Sequence, residues 1–301
     1  GATATSSFNL AINGAVATSQ AIATKITTVG ASVSAFTPVT ASAGSPPYTF
    51  RIAPALPSGL SMEASTGSIA GSSVATVAAT TYTVTATDSA GGTASSTFII
   101  TVNDAPTSTL AVATKVLTVN TLAVAFTPVT ASGGTGALVY SISPALPAGL
   151  SLSASTGAVS GTPTASSVAT NYIVTATDTT GVTTAKTFGL TVNSAIVATQ
   201  AVASRTLTVG AAAASFIPVT AAGGTTPYTF AVAPALPAGL TLTAASGAIS
   251  GMPTTAATAA NYVVTITDAV GATANQSFSL TVNGAVTATQ AVATKILTAG
   301  I

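Results

Sequence analysis

One period organises the whole chain. The heptapeptide PALPSGL begins at Pro54, and near-copies (PALPAGL) begin at Pro144 and Pro234, 90 residues apart each time. Tyr82–Asp88 (YTVTATD) returns as Tyr172–Asp178 (YIVTATD) and Tyr262–Asp268 (YVVTITD) in the same register, and Lys25, Lys115, Arg205 and Lys295 keep the same step. A fixed period with no gaps means that one structural unit is written several times. Residues 14–103, 104–193 and 194–283 read as three full repeats. Residues 1–13 read as the last strand of a preceding incomplete repeat, and residues 284–301 as the first strand of a following one, because GATATSSFNLAINGAV at 1–16 parallels GATANQSFSLTVNGAV at 271–286. On that pattern the chain is expected to be a window from a longer run of the same repeats. The joints VNDAP, VNSAI and VNGAV hold no low-complexity linker, which predicts limited freedom between neighbours.

Within a repeat the apolar residues alternate at period 2, bounded by Gly, Pro, Ser and Asn. In the third repeat RTLTV (205–209), ASFIPVTA (214–221), YTFAVA (228–233), GLTLTA (239–244), YVVTITD (262–268) and QSFSLTVN (276–283) read as strands. In TYTVTATD the threonines fall on one face and Tyr82, Val84 and Ala86 on the other, the pattern of a half-buried antiparallel strand. Six to eight short strands in a unit this small argue for a β-sandwich. Alanine fills the roughly 10 Å between two sheets poorly, so the larger periodic residues are the expected core. These are Phe36, Phe50, Leu60, Ile69, Tyr82 and Phe98; then Phe126, Leu150, Tyr172 and Phe188; then Phe216, Phe230, Leu240, Tyr262 and Phe278. Pro57, Pro147 and Pro237 stop strands, Gly67, Gly157 and Gly247 supply positive φ in STG or ASG turns, and Asp88, Asp178 and Asp268 are expected to accept backbone N–H groups of the turn that follows them.

Composition narrows the function. Only 4% of the residues are charged, the net charge is +1, and Cys, His and Trp are absent. So weak a positive charge cannot neutralise a phosphate backbone, which excludes nucleic acid as a partner. No stretch of about 18 apolar residues could span a bilayer. The lack of Cys and His removes thiolate chemistry, the usual general base and the commonest metal ligands, and the five carboxylates are scattered singly. An enzyme and a cofactor are therefore not expected. Near-zero net charge favours association, so the expected partners are copies of the chain itself or neighbouring repeats of one long chain, with an unidentified surface receptor as a further possibility. The start has no basic stretch followed by an apolar one, so Gly1 reads as the start of a processed chain or of an excerpt.

LPAGLSLSASTGAVSGTP (146–163), followed by YIVTATDTTG and FGLTVN, resembles the Ig-like domains common in large bacterial secreted and surface proteins, which are related to cadherin-like dystroglycan-type domains. The resemblance covers all three full repeats and part of both flanks. It implies an all-β fold of tandem Ig-like antiparallel β-sandwich repeats with a 90-residue period. It also implies an extracellular or cell-surface bacterial location, and no particular ligand. The function expected on this basis is structural and self-associating: a cell-surface fibre, stalk, sheath or matrix filament. The alternative is the stalk of an adhesin whose binding domain lies outside this chain.

Four further signals carry a functional and a plainer reading. Asp88, Asp178 and Asp268 sit where a cadherin-like calcium site would need them, but each repeat offers one such carboxylate; Asp104 recurs in no other repeat and neither does Glu63. Lys25 and Lys115 with Asn103 and Asn193 have the layout of an isopeptide cross-link, yet Arg205 stands at the third lysine position and cannot form that amide; an edge-strand charge that discourages wrong pairing is the simpler reading. The threonines 83, 85 and 87 are ordinary exposed strand formers before they are an ice-binding array. Asn275-Gln276-Ser277 is a formal glycosylation triplet.

Overall fold

The computed structural model describes residues 1–10, 12–291, 293–297 and 299–300. Strands in the first repeat are β1 (Ala17–Gln20), β2 (Thr24–Thr28), β3 (Val33–Phe36), β4 (Val39–Ser42), β5 (Thr49–Ala53), β6 (Leu60–Met62), β7 (Ile69–Gly71), β8 (Val77–Thr87) and β9 (Thr93–Asn103). The second and third repeats carry the same nine at a displacement of 90 residues, from β10 (Thr107–Leu110) to β18 (Thr183–Asn193) and from β19 (Val197–Gln200) to β27 (Thr273–Asn283). In each repeat a four-stranded sheet of order β2-β9-β8-β5 faces a three-stranded one of order β3-β7-β6, with β1 and β4 as a separate pair.

The sheets are mixed rather than purely antiparallel. Strand β2 runs parallel to β9, with Thr24 beside Ile99 and Thr28 beside Asn103. The remaining pairs are antiparallel, the longest being β8 with β9 through Tyr82 opposite Phe98. The parallel pair matters for function: it brings the C-terminal ends of β2 and β9 to the same end of the repeat.

Alternation puts Tyr82, Val84 and Ala86 of β8 and Phe98, Ile100 and Val102 of β9 inside, with Val39, Phe50 and Ile69 from other strands. Phe98 stands at the centre: the Phe36 ring meets it edge-on at 6.3 Å and Tyr82 lies tilted at 5.9 Å. Phe188 and Phe278 hold the same place in the other repeats. Of the expected core, Phe50, Ile69, Tyr82, Phe98, Tyr172, Phe188, Phe230, Leu240, Tyr262 and Phe278 lie buried. Phe36, Phe126, Phe216, Leu60 and Leu150, all on the edge strands of the short sheet, are only partly buried.

Three local expectations need correction. The stretch 214–221 is two strands, Ala213–Phe216 and Val219–Ala222, because Pro218 cannot donate to a ladder. The Pro218 carbonyl instead accepts the N–H groups of Ala201 and Val202 at 2.8 and 3.0 Å. Each repeat has nine strands, more than the six to eight expected, since the four-residue β1 carries little periodicity and β3 and β4 read as a single strand. The flanking segments 1–13 and 284–301 carry no strand among the described residues; Phe8, Leu10 and Ile12 are 85%, 75% and 87% exposed. A strand needs a ladder partner, and these segments have none.

The turns follow the proline and glycine positions. Pro57, Pro147 and Pro237 accept the N–H of Leu60, Leu150 and Leu240 in tight turns. Gly157 adopts φ +69°, and a Cβ there would lie 2.9 Å from the Tyr140 ring, so the position needs glycine for two separate reasons.

Candidate functional site

Most of the buried polar side chains, Thr27, Thr28, Thr118, Asp178 and Asp268, lie at the joints between repeats. Each repeat presents Thr28 and Asn103, or their equivalents, at its lower end, because the parallel β2–β9 pairing sets them side by side. Its upper end presents the aspartate that follows β8 and the β4–β5 connection, which carries Ser45, Thr135 or Thr225.

At the first joint the Thr28 hydroxyl of repeat one donates to Asp178 Oδ2 of repeat two at 2.5 Å. The same oxygen accepts the Thr135 N–H at 2.9 Å. Asp178 Oδ1 accepts the N–H of Thr180 and Val182, each at 2.9 Å, and the Thr180 hydroxyl at 2.8 Å. Asn103 Nδ2 donates to Thr135 Oγ1 at 3.0 Å, and Thr135 Oγ1 lies 2.7 Å from Thr28 Oγ1. Thr28 directs its single hydrogen at the carboxylate, so the Thr135 hydroxyl hydrogen faces two acceptors of repeat one, Thr28 Oγ1 and the Thr27 carbonyl 3.1 Å away. The result is a chain, Asn103 to Thr135 to Thr28 to Asp178, crossing the joint three times.

The second joint repeats the first. Thr118 donates to Asp268 Oδ2 at 2.6 Å, Thr225 N–H to the same oxygen at 2.8 Å, and Asn193 Nδ2 to Thr225 Oγ1 at 2.9 Å. Thr118 and Thr225 hydroxyl oxygens are 2.9 Å apart. Thr28 and Thr118 are fully buried, and Asp178 and Asp268 are 5% exposed. Gly134 and Gly224 let the β4–β5 connection come this close: a Cβ would sit 2.8 Å from Asp178 Cβ and 2.9 Å from Asp268 Oδ2 respectively.

The electrostatics follow from the donors. Burial pushes the Asp178 pKa up, but the Thr28 hydroxyl, the Thr135 N–H, Thr180 and the Val182 N–H outweigh it and hold the group at about 2. Asp268 is lowered too, against its burial, by Thr118, Thr225, Ala272 and Val270. Asp88 is lowered chiefly by the Ser45 N–H, with burial opposing and Gly92 and Ala90 adding to it. Asp88 receives no hydroxyl from another repeat among the described residues; Asn13 donates instead to Ser45 Oγ.

Other sequence signals land elsewhere. The Lys25 and Lys115 ammonium groups and the Arg205 guanidinium lie 5.1, 5.3 and 5.3 Å from the centroids of the Phe36, Phe126 and Phe216 rings, on the edge strand of the larger sheet. Lys25 pairs with Ile100 and Thr28 with Asn103, so Asn103 lies three residues along from the lysine, engaged at the joint. Among the described residues no three His, Cys, Asp or Glu side chains gather where a metal could sit. Sequence reading missed Thr28, Thr118, Thr135 and Thr225. Their only signal was recurrence at the 90-residue step, which scores of neighbouring threonines obscure.

A family model described as "Putative Ig domain" matches residues 14–103, 105–193 and 195–283. No curated protein matches the chain. Among solved structures, an I-band fragment of titin (I67–I69) is 13% identical, with a TM-score of 0.44, over 91% of this chain and 99% of that one. Extracellular domains 3–5 of Drosophila OTK are 14% identical (TM-score 0.35; 87% and 95% covered). Mouse cadherin-23 EC22–24 is 16% identical (TM-score 0.31; 90% and 98% covered). The two with a stated source are animal proteins, against the bacterial source and bacterial location expected from the sequence. At these identities the likeness concerns the fold alone. Three tandem Ig domains therefore fill the chain from residue 14 to residue 283.

Proposed function

The chain belongs to the Ig-domain family, and from that premise we propose that it serves as a load-bearing spacer, a filament-forming run of sandwiches that holds its two ends apart. One observation carries this reading. The chain enters each repeat through the short β1 and then β2 and leaves through β9, and β2 and β9 are parallel neighbours with five residue pairs in register. Tension on the two ends pulls β2 and β9 in opposite directions, so their hydrogen bonds are sheared together rather than opened one at a time. The equal length of the repeats, with no inserted loop in any of them, supports a structural role over a ligand site built on loops.

Self-association belongs to the same reading. Val74, Leu122, Val124 and Val168 are 70–82% exposed on a chain with a net charge of +1, so little charge repulsion opposes contact between copies.

Stretching single molecules held at both ends tests the spacer. We expect three discrete unfolding events, each releasing about 30 nm of chain, since an extended residue spans about 3.3–3.6 Å. Extension without discrete events would defeat the reading. For self-association, sedimentation should rise with protein concentration and persist in high salt; a concentration-independent monomer would remove that part.

A further inference from the structure

The joints carry more than connectivity. Resting on the spacer reading, we propose that the lower end of each repeat and the upper end of the next form a polar lock, specific for another repeat of this kind, that fixes the angle between neighbours. The lower half of the lock is the Thr28–Asn103 pair and its equivalent Thr118–Asn193; the upper half is Thr135 with Asp178, and Thr225 with Asp268.

Three features make this a recognition surface rather than an incidental contact. First, the threonine hydroxyls are fully buried, so each would lose its water without return if the partner repeat were absent. Second, the directions are complementary: the lower half offers donors and the upper half ends in a carboxylate that only accepts. Hydrogen bonds to an ionised acceptor are the strong ones, and a chain of bonds pointing one way polarises its members in the same sense. Third, the two joints share the same four contacts among Thr, Asn and Asp, although the surfaces beside them differ. Ser32 and Ser34 flank the first joint where Leu122 and Val124 flank the second, and those two apolar side chains remain 73% and 82% exposed. Apolar packing at those positions is therefore not what the joints share.

The lock also explains why the linker is so short. The Gly134 N–H bonds to the Asp104 carbonyl at 3.0 Å and the Gly224 N–H to the Ser194 carbonyl at 2.8 Å, which seats the upper half directly beneath the last strand of the preceding repeat.

The test uses the full chain, which has no native cysteine to interfere. Spin labels at S65C and S155C report on the first joint, and labels at S155C and A245C on the second; all three positions lie on exposed turns. The wild-type background should give one narrow distance for each pair. Thr28→Val removes the cross-joint hydroxyl while leaving every bond within repeat two intact, and should abolish the narrow distance at the first joint only. Asp178→Asn should do the same, and Thr118→Val should act only at the second joint. If the wild-type distances are narrow and Thr28→Val and Thr118→Val leave them narrow, the lock is wrong while the stiff spacer stands. If the wild-type distances are already broad, both fall. Near-ultraviolet circular dichroism of the tyrosines identifies any variant that has lost its fold, and Thr28→Val decides the matter should Asp178→Asn be one of these.

Discussion

Tyr172 sits on the inner face of the strand at 167–177, 3% exposed, with its ring 5.8 Å from that of Phe188. Truncating it to alanine removes a large buried aromatic from a small core, and Tyr172→Ala should cost repeat two about 3–5 kcal/mol. Thermal unfolding followed by a probe confined to that repeat checks this; a loss under about 1 kcal/mol would place the ring outside the energetic core. The aspartates support a second expectation. Both oxygens of Asp178 face N–H or O–H hydrogens, and an oxygen ringed by donors turns positive charge, not lone pairs, toward any incoming cation. EDTA should leave the melting temperature and the inter-repeat distances unchanged, and a clear fall on chelation would contradict the donor geometry. At this scale the sequence was informative in proportion to side-chain size. Phe98, Tyr82 and Ile69 could be placed from alternation alone, because few large residues compete for the interior. Thr28 could not: a threonine at the end of a β-branched run looks the same whether it faces solvent or a carboxylate in the next repeat.

The elements show why some of the architecture was legible and some was not. The long pair β8 and β9 announces itself through eleven-residue alternation, and the turn at Gly67 through its STG triplet. The parallel partner of β9 left no such trace. Five residues of β2 carry the same alternation whether they run parallel or antiparallel, and only the fold places Thr28 opposite Asn103. That pairing is the step that turns scattered threonines and asparagines into a joint, so the site was hidden by the same ambiguity as the topology. The joint in turn carries a pH dependence. Asp178 titrates at about 2 in the folded chain against an ordinary 3.8. A lowered carboxylate contributes stability that is complete above the ordinary value and is lost as pH falls through the folded one. The first joint should therefore hold its narrow distance down to about pH 4 and loosen between 3.8 and about 2. The other charged groups at this joint are Lys25, which lines the groove with Thr135, Thr179 and Thr180, and the exposed Asp104 on the linker. Asp104→Asn controls for the latter, and the second joint, with Ser194 in that place, is an internal control. Loosening that begins well above pH 4 would assign the transition to some other group.

At the scale of the whole molecule, the identity of the two joints makes the repeats interchangeable. Thr28 meets Asp178 across 150 residues, and Thr118 meets Asp268 across the same 150. Deleting residues 104–193 joins Asn103 to Ser194 and subtracts 90 from every separation that spans the cut. The lower half of the first joint, Thr28 with Asn103, then faces the upper half of the second, Thr225 with Asp268. The seat is preserved as well, because the Ser194 carbonyl that accepts the Gly224 N–H stays in the chain. The groove keeps serines at 32 and 34 in place of Leu122 and Val124, which is already the situation at the native first joint. The shortened chain should therefore rebuild a joint that neither parent combination contains. Spin labels at S65C and A245C in the deletion chain should give the narrow distance that S65C and S155C give in the full one, and Thr28→Val should abolish it there too. A deletion that leaves both remaining repeats folded, by tyrosine circular dichroism, but yields a broad distance would mean that each joint depends on contacts private to its own pair. The repeats would then be a fixed series rather than units in a common code, and the regular spacing of Thr, Asn and Asp would reflect the fold of single repeats alone.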